Sequence, residues 1–208
     1  MTGYTHIAEV LVGSLAFIAG GNILMVGIMW VWLQWQGRGP CAAPSPINHL
    51  TPDPSLRTAR TLATWTRRGF VHAAARRGGR WRSAMVRCSS VLVLPAVTVA
   101  KWMQLRSPST IFYMSHGASL AVQSVRRGQA WYLCDHSSER PGSGLGAQLR
   151  QEVSEHLTRE ACGTGVELRL KTRVPAVAQW ALSAGFAEQS HGYNQTFKWR
   201  CDWRGNGS

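Results

Sequence analysis

One stretch restricts the fold more than any other. A β-prone run, a glycine-rich turn and an amphipathic helix pattern follow one another without a gap. Gln129-Ala-Trp-Tyr-Leu-Cys-Asp-His136 has the aromatic and apolar content of a strand. Glu139-Arg-Pro-Gly-Ser-Gly-Leu-Gly-Ala147 is the turn, and behind it Leu145, Leu149, Val153 and Leu157 recur every four residues, as one face of a helix requires. Strand, glycine turn and helix together make an anion site, because glycines let the backbone approach closely and the first helical amides point at the ligand. Gly142, Gly144 and Gly146 are spaced for this, and a pyrophosphate suits such a cradle. The same residues also serve a plain turn.

Around this stretch the pattern is alternating. Thr110-Ile-Phe-Tyr-Met114 and Leu120-Ala-Val-Gln-Ser-Val125 read as short strands, and Val166-Glu-Leu-Arg-Leu170 alternates as a half-buried one. Pro175 to Ala184 reads as a second helix with proline in its first turn, stopped by Gly185-Phe186, and residues 187–200 give one or two closing strands. A P-loop is excluded, since no Gly-Lys-Ser/Thr follows the glycines. Gly142-x-Gly144-x-x-Ala147 with Glu167 downstream fits a loose dinucleotide fingerprint, but about 40 residues beyond Glu167 are too few to complete a doubly wound sheet.

Charge divides the 208 residues into three regions. Residues 1–37 hold one acid and no base; residues 38–134 hold fourteen Lys/Arg against Asp53; residues 135–208 are nearly balanced. The uncharged run from Val10 to Leu33 is, at ~1.5 Å per residue, roughly 36 Å long, enough to cross a hydrocarbon layer. Trp30, Trp32 and Trp35 cluster at one end, as an interfacial belt would. A buried core helix rarely needs so long an uncharged run, and a cleaved signal would carry a basic start, where this chain has only Glu9. The expectation is therefore an anchor over residues 1–36. Arg38, Arg57 and Arg60 follow it and nothing basic precedes it, which puts the remainder in the cytoplasm of a cell-membrane protein. On that side disulfides are not expected, and no Cys pair has metal-site spacing, so no metal is expected either. Gly13, Ala16, Gly20 and Gly27 share a face that could pair two such helices.

Residues 37–56 contain five prolines and read as an extended linker. Residues 57–90 form a basic helical segment. Nine Arg and no acid lie between 57 and 87, where Gly69, Gly78 and Gly79 favour two short helices over one. Such a segment can be a solvated face, can meet anionic lipid, or, less well supported, can bind nucleic acid.

From strand to closing strands, residues 110–200 resemble the GNAT superfamily of acyl-CoA N-acyltransferases. That family places Arg/Gln-x-x-Gly-x-Gly/Ala after its fourth strand. Pro141-Gly-Ser-Gly144-Leu-Gly146 is similar to it, with the basic residue one position early at Arg140. Trp180-Ala-Leu-Ser-Ala-Gly185-Phe186 resembles the family's Leu-Tyr-x-x-x-Gly-Phe, with Ala181 where a thiolate-protonating Tyr often stands. The resemblance implies an α/β fold, a mixed sheet with helices on both faces, over residues 91–204, behind one transmembrane helix. Residues 57–87 would be its first helices and Ser90–Val99 an early strand.

The resemblance also implies acetyl-CoA, or another acyl-CoA, in a cleft where two parallel strands splay apart, with an amine as acceptor. Strand amides near Cys134 and His136 would hold the pantetheine, and Gly142, Ser143, Gly144, Leu145, Gly146 and Ala147 the pyrophosphate. His136, Asp135 and Glu139 are base candidates and Tyr193 the acid. Tyr132 alternates to the side of Cys134 and His136. The other expectation is a membrane-anchored adaptor without catalysis, favoured by Ala181.

Overall fold

The computed structural model describes residues 43–77, 80–125, 130–172, 174–190 and 195–201. The proposed span, its Gly13/Ala16/Gly20/Gly27 face and Tyr193 lie outside the described residues. Among the described residues no single helix is long and apolar enough to cross a membrane.

Three helices come first. α1 (Leu56–Arg77) starts where Ser55 takes the Thr58 amide on its hydroxyl at 3.2 Å, capping the first turn. Ala59, Leu62 and Ala63, spaced three and four apart, make its buried stripe. The helix runs through Gly69, where nothing crowds the backbone, and ends at Arg77. α2 (Arg80–Leu92) and α3 (Leu94–Leu105) meet at a 58° bend. Pro95 sits in the first turn of α3, where its missing N–H costs nothing but its ring prevents α2 from continuing.

Residues 90–99 are thus helical, and the expected early strand is corrected. An apolar β-branched run fits a helix as readily as a strand, and Pro95 decides for the helix. The edge that such a strand could have joined is met instead by residues 47–51: Leu50 accepts the Met114 amide at 2.7 Å.

The sheet has six strands: β1 (Thr110–Ser115), β2 (Ala118–Val125), β3 (Ala130–Ser138), β4 (Glu167–Thr172), β5 (Ala187–Ser190) and β6 (Gln195–Trp199), in the order β1-β2-β3-β4-β6-β5. β3 and β4 are parallel and the other neighbours antiparallel, so the sheet is mixed. Two further helices, α4 (Leu145–Thr164) and α5 (Pro175–Ser183), make the crossovers. Strand alternation sorts the side chains. Tyr113, Leu120, Val122, Trp131, Leu133, Leu168, Leu170 and Phe197 join Leu149, Val153 and Leu157 of α4 and Val177 and Ala181 of α5 in the main core. On the opposite face Phe112 and Ala121 pack against Leu62 of α1, with Cys134 and Leu105 at the margin. Helices therefore cover both faces, as the α/β expectation requires.

The proline-rich stretch is docked over its described part rather than free. Pro44 is fully buried and Leu50 is in the main core. Ser45 donates its amide (2.8 Å) and hydroxyl (2.6 Å) to Glu160 of α4, and its carbonyl accepts from the Tyr113 hydroxyl at 3.1 Å. Proline does keep the segment extended, but Pro44, Ile47 and Leu50 give it apolar surface to bury.

Cys162, near the end of α4, is disulfide-bonded to Cys201, just past β6, with Cα atoms 5.1 Å apart. This corrects the expectation of no disulfide. Proximity in the fold made the pair, and neither sequence spacing nor net charge could reveal it. Replacing both cysteines by serine reopens a 39-residue loop in the unfolded chain and is expected to lower stability by about 4 kcal/mol. Urea midpoints of the two proteins, the wild type with and without reductant, check this.

Candidate functional site

The site begins where the parallel pairing stops. β3 and β4 are in register from Ala130 opposite Glu167 to Leu133 opposite Leu170, and no further. Beyond that, β4 keeps β6 on its far edge through Lys171 and Thr172 and β3 keeps β2 on its far edge from Cys134 to Ser138, while the edges they turn towards each other have no strand partner among the described residues. A fork results, with the free backbone edge of β3 as one wall.

A bulge sits at the fork. Between the pairs Ala121–Cys134 and Ser119–Ser137, Leu120 faces two residues of β3, Asp135 and His136. Asp135 takes φ 54, the left-handed region that few non-glycine residues adopt. Lys101 of α3, only 7% exposed, holds it there: its ammonium meets the Asp135 carboxylate and lies 5.7 Å from the Phe112 ring centre. Burial lowers Lys101 to about 8, with the Cys134 sulfur opposing the shift, so it is charged at neutral pH beside its carboxylate. Burial pushes the Cys134 thiol up to about 11 against the pull of Lys101, and it stays protonated.

The extra residue also turns the strand. Cys134 faces α1 and α3, whereas His136 faces Arg150 of α4. In a regular strand the two would share a side. Tyr132 stays on the Cys134 side, where Arg169 donates to its hydroxyl at 3.2 Å. His136 Nε2 is enclosed and has no hydrogen-bond partner. Burial, then the charge of Arg150, hold this imidazole down at about 3, so it is neutral and weakly basic.

β3 ends at Ser138, and the next amide, of Glu139, donates to the Gly117 carbonyl at 2.7 Å. The glycine turn follows. Ser143 donates both its amide (3.2 Å) and its hydroxyl (2.6 Å) to the Arg140 carbonyl, which tightens the loop. Gly142 and Gly144 have φ of 88° and 86°, a conformation that costs glycine little. Gly144 is the N-cap of α4, and its carbonyl takes the amides of Ala147 (2.8 Å) and Gln148 (3.3 Å). The intervening amides of Leu145 and Gly146 have no acceptor among the described residues, the arrangement that receives an anion.

The structure thus brings Cys134, His136, Glu139 and Gly142–Ala147 to one end of the sheet. It adds residues that the sequence did not point to. Arg68 of α1 donates to the Glu139 carbonyl at 3.1 Å and stands 3.7 Å from its carboxylate. His72 lies within 3.5 Å of where a Gly142 side chain would begin. The arginine-rich segment therefore reaches the loop. Lys101 and Arg150 were equally hidden, and Trp180 was marked only as the start of the motif that ends in Gly185-Phe186. Among the described residues no group of three His, Cys, Asp or Glu is placed to hold a metal ion.

No protein-family model matches the chain, and no curated protein does. Solved structures do resemble it. They include PaiA N-acetyltransferase from Thermoplasma acidophilum in complex with coenzyme A, at 13% identity over 70% of this chain and 94% of that one, TM-score 0.48. The microcin C7 self-immunity acetyltransferase MccE, in complex with acetyl-CoA and AMP, is 13% identical over 70% and 88%, TM-score 0.45. Aminoglycoside 6'-acetyltransferase type Ii is 11% identical over 72% and 94%, TM-score 0.45.

Two outcomes are expected from the electrostatics. Lys101→Ala leaves the Asp135 carboxylate buried without its partner and should cost about 3–5 kcal/mol, measured by urea denaturation at pH 7. His136 binds its proton far less readily folded than its ordinary value of 6.5. Between pH 6.5 and about 3 the unfolded state therefore holds more protons there, and stability falls as pH drops through that window. His136→Gln should flatten this part of the stability–pH curve.

Proposed function

We propose that this chain is a membrane-anchored GNAT-type N-acyltransferase that moves an acyl group, acetyl in the simplest case, from acyl-CoA to an amine. The observation that carries the reading is the fork: an unpaired edge of β3 beyond Leu133, leading to free amides at Leu145 and Gly146 behind two left-handed glycines. A pantetheine arm needs backbone donors and acceptors along its length, and a diphosphate needs amides at its end; the fork offers both in that order.

The chemistry asks little more of the protein. The amine nitrogen attacks the thioester carbonyl, the carbon–sulfur bond breaks, and coenzyme A leaves as a thiol. One proton must come off the amine and one must reach the sulfur. Glu139, at the end of β3 and open to solvent, is the better placed acceptor for the first. His136, kept neutral and weakly basic, serves as a hydrogen-bonding group at the fork. Tyr193 remains the proposed donor to sulfur, since Ala181 is fully buried on α5 and carries no phenol. Ala181 is also what favours the second reading, a coenzyme-binding adaptor that does not turn over.

The uncharged run Val10–Leu33 is the proposed anchor. Exposed Phe70, Val91 and Leu92 on the helices that carry the arginines support contact with an anionic lipid surface. The charge asymmetry across the run puts the domain on the cytoplasmic side, while the Cys162–Cys201 bond favours the opposite, oxidising side. Thiol alkylation in intact cells decides: labelling of both cysteines without added reductant supports the cytoplasmic side.

Calorimetry with acetyl-CoA on the detergent-solubilised full chain tests the coenzyme site. Saturable binding is expected, and Gly144→Val should weaken it about tenfold or more, ~1.4 kcal/mol or above, because a branched side chain cannot hold φ 86. A folded wild type that takes up no acetyl-CoA would remove the proposal. Binding without acetylation of any amine tried would select the adaptor.

A further inference from the structure

Two cations are buried among the described residues, Lys101 and Arg150. Lys101 has Asp135. Arg150, 8% exposed, has no carboxylate and no hydrogen-bond acceptor among the described residues, and its Nε is fully enclosed. An unpaired charge in such a place is costly, and an aliphatic side chain would pack beside Leu149 and Val153 at no such cost. What Arg150 touches is the Trp180 ring of α5, 5.3 Å away. Trp180 Nε1 is itself buried without a partner, and so is Nε2 of His136, the imidazole that feels the Arg150 charge.

Three elements therefore present unsatisfied polar atoms at one place: α4, α5 and the bulged end of β3. Arginine and tryptophan can only donate, and a neutral imidazole can donate from Nε2. A group that satisfies all three must be rich in acceptors and negatively charged. The spot also lies beneath the glycine loop. Helical side chains lean towards the N-terminus, and a side chain on Gly146 would start 3.3 Å from Arg150 Nη1, so the bare glycine leaves the guanidinium its room under the free amides.

We infer that Arg150, Trp180 and His136 form a seat for an anionic group entering the fork between β3 and β4. Resting on the acyltransferase reading, the anion is the diphosphate of the acyl-CoA or a carboxylate at the end of its acyl chain. A diphosphate seat holds every acyl-CoA alike and a carboxylate seat selects among them; in either case the unliganded protein carries the unpaired charge as a cost.

Arg150→Met, which keeps length and removes charge, tests this in the full chain. Thermal midpoints without ligand are measured first, then affinities for coenzyme A, acetyl-CoA and succinyl-CoA by calorimetry, then the midpoint shift with inorganic pyrophosphate. The variant is expected to melt above the wild type when unliganded and to bind about tenfold or more weakly. An equal loss for coenzyme A and both its thioesters assigns the seat to the diphosphate; a loss confined to succinyl-CoA assigns it to a carboxylate. Unchanged affinities in the variant overturn the seat and leave the acyltransferase reading standing. A wild type that ignores coenzyme A and both thioesters but is stabilised by pyrophosphate, with the variant unresponsive, keeps the seat and overturns the acyltransferase. No response of the wild type to any of the four ligands overturns both. Should the Met variant fail to fold, Trp180→Phe, which removes one donor, is expected to weaken binding several-fold, and an unchanged affinity there counts against the seat.

Discussion

β3 and β4 exchange backbone hydrogen bonds over four rungs, and beyond Leu133 and Leu170 each strand must find other partners. Backbone N–H and C=O groups are rarely left unpaired in a protein interior. β4 keeps its antiparallel pairing with β6 on the opposite edge from Leu168 to Thr172. β3 likewise keeps β2 on its opposite edge to Ser138, and the edges that β3 and β4 turn towards each other stay open beyond Leu133 and Leu170. The position of the fork in turn dictates the position of the glycine loop and of the first turn of α4, because β3 runs directly into them. Loop, helix start and open edge are consequences of one early termination of pairing.

The bulge at Asp135 and His136 then divides the labour between the two faces. One extra residue sends Cys134 towards α1 and α3 and His136 towards α4. The left-handed backbone this demands of Asp135 is secured by an ion pair from a helix on the other side of the molecule. α3 thus acts on the fork through Lys101, which meets Asp135 at the bulge. Among the described residues the two buried cations, Lys101 and Arg150, sit on opposite faces of the sheet, one paired with Asp135 and one against the Trp180 ring.

Much of this was legible in the sequence where local chemistry and global fold agree. The run from Trp131 to Leu157 shows strand, turn and helix, because period and glycine placement speak for the same elements. Pro175 and Gly185 bracket α5 as their backbone preferences require. Residues 90–99 were ambiguous because composition cannot separate a buried helix from a strand. The docking of Pro44 and Leu50, the Cys162–Cys201 bond and the Lys101–Asp135 pair depend on contacts far apart in sequence. At the site, the glycines announced themselves by spacing, whereas Arg150 lay hidden in an apolar helix pattern. Nor could His136 be assigned its face, since a bulge leaves no mark in a run of residues that already reads as a good strand.

The Cys162–Cys201 bond closes a covalent ring through the chain that contains β4, α5, β5 and β6, while β1, β2 and β3 lie outside it. The two walls of the fork therefore differ in their topology. A protease that cuts once between residues 163 and 200 leaves fragments that stay joined, and the β4 wall keeps both its ends. A single cut in β1, β2 or the turn between them severs the chain outright. Reduction erases the distinction, so nicking patterns with and without reductant map onto the two halves of the sheet.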